Sequence, residues 1–232
     1  MAVRNLFVDY DNTLHDSDSK FVAHFRGPAE ALGITGRELW RLYLFEVHRG
    51  IVHRQYPERH DDREFHCRLL FQRLGRPYQE EIASRITSAF ERAMEDCWKN
   101  PSFFPDAFPF LEGVSHRYRL FLATSENALQ KASSVERVGG KRYFQHVLGD
   151  HNIGVRKTEK GYYLKALELA GTRAEESVMV GDSLTHDIFP AREAGMRTIW
   201  VNRKGEPREG EVEREVRDLE EALCLLLNPH PF

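Results

Sequence analysis

The sequence predicts an α/β protein: a parallel sheet flanked by helices on both faces, with a helical module inserted after its first strand. Three observations carry this expectation. The chain opens on a short apolar run, Val3–Val8, that stops at Asp9. From about residue 16 to residue 100 apolar residues recur at helical spacing, with no strand-like run among them. Beyond Pro101 and Pro105, short β-prone runs alternate with helical ones, the pattern of a parallel sheet whose crossover helices cover both faces.

The first strand is apolar at Val3, Leu6, Phe7 and Val8, and turn-forming Tyr10-Asp11-Asn12-Thr13 ends it. In the inserted block, four helices are expected. The first covers 21–32. Thr35 is placed to cap the second, 36–47, whose apolar stripe is Trp40, Tyr43, Leu44 and Val47. Asp61 can cap the third, 63–74. Pro77 opens the fourth, 78–98, which sets Ile82, Ile86, Ala89, Phe90, Ala93, Met94 and Cys97 on one face. Residues 1–15 and 101–232 then make the α/β part, and 16–100 the insert. In the second part, strands are expected at 118–124, 144–148, 177–180 and 197–202. Helices are expected at 126–138, 160–170, 187–194 and 218–227, with Gly171 and Gly195 ending two of them. The charged stretch 203–217 reads as a surface loop holding at most a short strand.

Composition narrows the function classes. With 232 residues, 41% hydrophobic and 30% charged, the chain can bury a sizeable core and is neither fibrous nor disordered. No run approaches the ~18 apolar residues of a membrane span, and no signal-peptide core opens the chain. A net charge of 33 − 36 = −3 advertises neither nucleic acid nor a membrane surface as partner. Cys67, Cys97 and Cys224 are odd in number, far apart and without a CxxC pair, so no disulfide framework is expected. A reducing cytoplasm is the expected location.

Ligands of open parallel sheets bind beyond the carboxyl ends of the strands. Acids, hydroxyls and a lysine collect there: Asp9 and Asp11 after the first strand, Thr124 and Ser125 after the second, Gly181-Asp182 with Asp187 after a later one, and Lys157 just before a helix. Residues i and i+2 of an extended segment face the same side, so Asp9 and Asp11 crowd each other. Two carboxylates ~4 Å apart repel by about 4 kcal/mol at an effective dielectric of ~20. Asp182 and Asp187 add to this, and Lys157 supplies one positive charge. A hard divalent cation is the natural remedy, and oxygen-only ligands suit Mg²⁺.

The motif Asp9-Tyr10-Asp11-Asn12-Thr13-Leu14 resembles the DxDxT signature of the haloacid dehalogenase superfamily of phosphotransferases. Thr124, closing Leu120-Phe121-Leu122-Ala123, is similar to the second motif, and Lys157 ahead of Tyr162–Leu167 to the third. Gly181-Asp182-Ser183-Leu184-Thr185-His186-Asp187 has the GDxxxxD form of the fourth. Order and spacing fit over essentially the whole chain, with the insert where members with a C1-type cap carry it. The resemblance implies a Rossmann-like sheet with an inserted α-helical cap. It implies Mg²⁺-dependent hydrolysis of a small phosphate monoester, such as a nucleotide or sugar phosphate, through an aspartyl-phosphate. In that reading Asp9 attacks phosphorus, and Asp11 protonates the leaving oxygen and later deprotonates water. Asn12, Thr124, Ser125 and Lys157 hold the phosphoryl oxygens. Asp9, Asp11 through its backbone carbonyl, Asp182 and Asp187 form the metal set, Asp187 through a water or by orienting its neighbours. An acid at position 11 favours ester cleavage, because halide release needs no proton. Thr158 stands where many relatives have Pro, and Ser125 where Asn is common. A phosphomutase using the same phosphoaspartate, or a non-catalytic phosphate-binding regulator, stays open.

Singly, each residue has a plainer reading: Asp9 and Asp11 as turn acids, Thr124 and Asp187 as helix caps, Lys157 as a solvated charge. Between residues 48 and 66 lie His48, Arg49, His53, Arg54, Arg59, His60, Arg63 and His66. This stretch reads as a solvated loop joining two helices, ahead of a substrate-gripping loop. No HxxxH pair on one helical face marks a zinc site there.

Overall fold

Six strands, β1 (Asn5–Val8), β2 (Arg119–Ala123), β3 (His146–Leu148), β4 (Ser177–Gly181), β5 (Arg197–Val201) and β6 (Arg214–Val216), pair side by side in the order 3-2-1-4-5-6 in the computed structural model. Every pairing is parallel. Residues 3–208 and 210–228 are described. The chain divides into two units, one of Met1–Asp16 with Pro101–Phe232, the other of Ser17–Asn100.

The helical unit contains α1 (Ser17–Ala31), α2 (Gly36–Arg41), a π-helical stretch Leu42–Val52, α3 (His53–Gln55), α4 (Arg63–Arg73) and α5 (Glu80–Lys99). Its core joins Phe25, Trp40, Tyr43, Val47, Leu70, Ile86 and Ala89, with Phe21 stacked on Trp40 at a centroid distance of 4.0 Å. Thr35 caps α2 reciprocally: its hydroxyl accepts from the Glu38 N–H, and the Glu38 carboxylate accepts from the Thr35 N–H. The cap of α4 is Asp62, which accepts from the Phe65 N–H at 2.9 Å, and not Asp61 as the sequence suggested. With Arg63 as the first helical residue, only the residue directly before it can reach the third N–H. Residues 48–66 also differ from the expected solvated loop. The helix of α2 runs on with wider winding to Val52, and His66 is fully buried.

The α/β unit contains α6 (Ala107–Ser115), α7 (Ala128–Gly139), α8 (Asp150–Ile153), α9 (Lys160–Ala170), α10 (Phe189–Glu193) and α11 (Leu219–Leu227). Side chains alternate across the sheet, as the period of two requires. Val8, Leu122, Val180 and Ile199 meet Phe110 and Leu111 of α6 and Leu226 of α11 on one face. Phe7, Phe121 and Met179 meet Tyr162, Tyr163 and Leu167 of α9 on the other. Each fully buried large side chain contributes about 1.5–3 kcal/mol, so both faces must be covered. α6 has no counterpart among the elements expected from the sequence, where Pro105 stands as a break. Pro109 lies in the first turn, where its missing N–H costs nothing. Among the described residues no helix is long and apolar enough to cross a membrane, and Cys67, Cys97 and Cys224 form no disulfide.

The chain runs from β1 outward to β2 and β3, then returns to β4 on the other side of β1. That reversal opens a crevice at the carboxyl ends of β1 and β4, and it decides where the chemistry collects.

Candidate active site

Asp9 follows β1 directly. Its N–H donates to the Val180 carbonyl at 2.9 Å, which extends the pairing by one residue and holds the side chain at the switch point. The carboxylate is buried. Its Oδ1 accepts from Lys157 Nζ at 2.5 Å and its Oδ2 from the Thr13 hydroxyl at 3.0 Å. Thr13 reaches back because the chain turns sharply at Asn12, whose φ of 58° lies in the left-handed region that asparagine tolerates. Asn12 itself is buried in that turn.

Lys157 lies just ahead of α9 and is buried between two acids. Its Nζ is 2.6 Å from Asp187 Oδ1 as well as bonded to Asp9. The contact with Asp187 is an ion pair without hydrogen-bond geometry, so Oδ1 keeps no hydrogen bond. Asp187 Oδ2 accepts from the Ser183 N–H at 2.9 Å. Burial works against the charge on Lys157, but Asp187 and Asp9 overcome it and hold the ammonium well above its usual range. Burial likewise raises Asp9, to about 7. Lys157 opposes that shift, while Asp187 and Asp11 add to it.

Gly181 and Asp182 end β4. A Cβ at Gly181 would stand 2.4 Å from Asp187 Oδ2, so glycine is what lets that carboxylate fold back against the strand. Asp187 is not the cap of the helix it belongs to; the Ser183 hydroxyl takes that place, accepting from the His186 N–H. Asp9, Asp182 and Asp187 each offer an oxygen within 4.8 Å of the others. Two of the three carboxylates share one ammonium, the donors are all oxygen, and one buried oxygen of Asp187 lacks a hydrogen bond. These residues fit a hard divalent cation.

The carboxylate of Asp11 turns elsewhere. Its Oδ2 accepts from Lys131 Nζ at 2.5 Å, and the same ammonium donates to Thr124 Oγ1 at 3.2 Å. Thr124 is buried at the end of β2, fixed through its carbonyl by the Tyr162 hydroxyl at 2.9 Å. Ser125 is half-buried in the bend that follows, and no polar contact among the described residues joins it to Asp9 or Lys157. Beside the acids lies a cavity of about 220 Å³ lined in part by Asn12, Asp182, Arg203 and Lys204.

Two side chains here were missing from the sequence reading of the site: Thr13, as the hydroxyl on Asp9, and Lys131. The signal for Lys131 is its register. Ala128, Lys131, Ser134 and Val135 form the buried stripe of α7, and a lysine in such a stripe needs a partner.

A doubly wound α/β unit with acids and a lysine at its switch point defines the class of protein. Comparison with known proteins gives the family. The family described as haloacid dehalogenase-like hydrolase matches residues 6–201. A glyceraldehyde 3-phosphate phosphatase of Methanopyrus kandleri is 27% identical over 222 residues, which span 94% of this chain and 92% of that protein. A phosphoserine phosphatase of Thermus thermophilus is 30% identical over 139 residues, or 59% of this chain and 54% of that one. Among solved structures, a HAD-hydrolase of Bacillus subtilis bound to magnesium covers 98% of this chain and 100% of its own, with a TM-score of 0.76 at 22% identity. That likeness shows the fold. The chain belongs to the haloacid dehalogenase-like hydrolases.

Proposed function

We propose that this hydrolase cleaves a small phosphate monoester through a covalent phosphoaspartate on Asp9, with Mg²⁺ held by Asp9, Asp182, Asp187 and the backbone carbonyl of Asp11. The observation that carries the reading is the setting of Asp9: buried at the switch point between the Thr13 hydroxyl and the Lys157 ammonium, with a second acid two residues on. The phosphatases among its relatives, acting on glyceraldehyde 3-phosphate and phosphoserine, support the substrate class.

The residues divide the work in two steps. In the first, a carboxylate oxygen of Asp9 forms a bond to phosphorus while the bond from phosphorus to the ester oxygen breaks. Asp11 gives its proton to the departing oxygen. In the second step, Asp11 takes a proton from water, the water oxygen bonds to phosphorus, and the bond to Asp9 breaks. Asp9 returns as carboxylate and phosphate leaves. Lys157 and the Thr124 hydroxyl offset charge on the phosphoryl oxygens, with Asn12 and Ser125 as further contacts. Bound Mg²⁺ supplies charge neutralisation, letting a carboxylate approach a phosphate dianion. The Ser17–Asn100 unit serves as the cap that selects the rest of the substrate.

The test is a panel of phosphate esters assayed with Mg²⁺ and with EDTA, on the native chain and on Asp9→Asn. Release of phosphate that needs the metal and falls by at least roughly 10³-fold in the variant supports the reading. Undiminished turnover in Asp9→Asn refutes it. Free phosphate as product also separates hydrolysis from transfer to a second hydroxyl.

A further inference from the structure

The helical unit holds a second cluster of ligating side chains, and it is made of imidazoles. His48 lies in the π-helical stretch Leu42–Val52 and His53 at its end. In a helix bonded from i to i+5, residues five apart come onto one face, and these two rings stand 4.2 Å apart by centroid. His60 follows the short turn Pro57–Arg59 and folds back on both, at 4.8 Å from His48 and 4.9 Å from His53. His53 Nε2 and His60 Nδ1 are 2.9 Å apart. One ring nitrogen from each of the three lies within 4.8 Å of the others.

A second observation points to a ligand. The Nδ1 of His48 is buried with no hydrogen-bond partner among the described residues. An orphaned buried polar atom is costly, so it calls for an explanation. Burial, and then the neighbouring His53 and His60, keep the His48 ring neutral, which leaves its lone pair available. His66 lies behind the cluster but has other work. Its Nδ1 meets the Tyr43 hydroxyl at 3.0 Å and its Nε2 the Arg59 carbonyl at 3.1 Å. Arg63, whose charge reaches His48, is turned to the face of Phe90 and donates to the His60 carbonyl. On the outer side the Asp61 carboxylate is 3.9 Å from His60 Nε2, where it can orient a ligating ring through its second nitrogen.

We propose that His48, His53 and His60 form a binding site for a divalent transition metal ion of the zinc class, with three imidazole ligands and the fourth position left to water. Neutral imidazoles suit Zn²⁺ and Co²⁺ and not Mg²⁺, so this site and the acidic one take different ions. Three nitrogens bound tetrahedrally at about 2.0–2.1 Å stand roughly 3.3 Å apart. The present spacing, 2.9 Å between His53 Nε2 and His60 Nδ1 and within 4.8 Å for all three, brackets that value. The ion would pin the π-helical stretch to the turn after it.

The experiment uses the untagged full chain with Mg²⁺ in excess, so that the acidic site is filled. Zn²⁺ is titrated against a chromophoric chelator, and Co²⁺ binding is followed by its visible absorption. The native chain is expected to bind one Zn²⁺ and to give intense tetrahedral Co²⁺ bands. His53→Gln and His60→Gln each weaken Zn²⁺ binding at least roughly 100-fold and abolish those bands. Asp182→Asn leaves both readouts intact. Absence of Co²⁺ bands in the native chain overturns the proposal without recourse to any variant. So does Zn²⁺ binding lost in Asp182→Asn, or binding unchanged in both histidine variants.

Discussion

The ammonium of Lys131 lies 2.5 Å from Oδ2 of Asp11 and 3.2 Å from the hydroxyl of Thr124, so one buried cation on α7 joins the ends of β1 and β2. Lys131 is buried while Asp11 is 37% exposed, so the lysine is the fixed partner and the acid the one being held. The contact holds the Asp11 carboxylate in place for taking a proton from water in the second step. Lys131→Met is therefore expected to slow that step: kcat and KM fall together by roughly 10–100-fold, kcat/KM changes little, and phosphoenzyme accumulates in a burst. Lys131→Arg restores part of kcat. A parallel fall of kcat and kcat/KM would instead place the lysine's effect in the first step.

The close approach of Gly181 and Asp187 makes a second expectation. Gly181→Ala puts a methyl group 2.4 Å from Asp187 Oδ2, and the carboxylate must swing away from Lys157 and from the Ser183 N–H. Overpacking of this kind costs about 1–3 kcal/mol, and displacing Asp187, a member of the proposed metal set, lowers activity by at least roughly 10–100-fold. The damage acts through Asp187, so the two sites are not additive. The double variant Gly181→Ala/Asp187→Gly, which also removes the Cβ that would stand 2.6 Å from the new methyl group, is expected to be no less stable to urea than Asp187→Gly alone.

The fold class and the acidic edge were legible because both rest on local pattern. Period two changes to helical spacing at the strand ends, and Asp9, Asp11, Asp182 and Asp187 sit at those ends. What stayed hidden depends on which way a helix face turns. Lys131 reads as solvated until the stripe through Ala128 and Val135 is known to be buried. The histidine cluster escaped a search at α-helical spacing because the chain there winds from i to i+5, pairing His48 with His53. Asp61 and Asp62 are adjacent acids of equal capping propensity, and a one-residue shift in the helix start decides between them.

That choice is open to measurement. Asp62 accepts from the Phe65 N–H at 2.9 Å, and this bond, followed by the one from Arg59, holds its carboxyl below the usual range. Asp61 has a side chain 78% exposed. Asp62→Ala is expected to destabilise the chain by about 1 kcal/mol in the presence of a chelator, and Asp61→Ala by less than about 0.5 kcal/mol. The sign with pH follows from the direction of the shift. A carboxyl with a lowered folded-state pKa binds fewer protons when folded, so its contribution is present at neutral pH and disappears as pH falls through that lowered value. The stability gap between native chain and Asp62→Ala should therefore close in acid. Urea melts at pH 7 and near pH 3 check both; equal losses for the two variants at pH 7 would return the cap to Asp61.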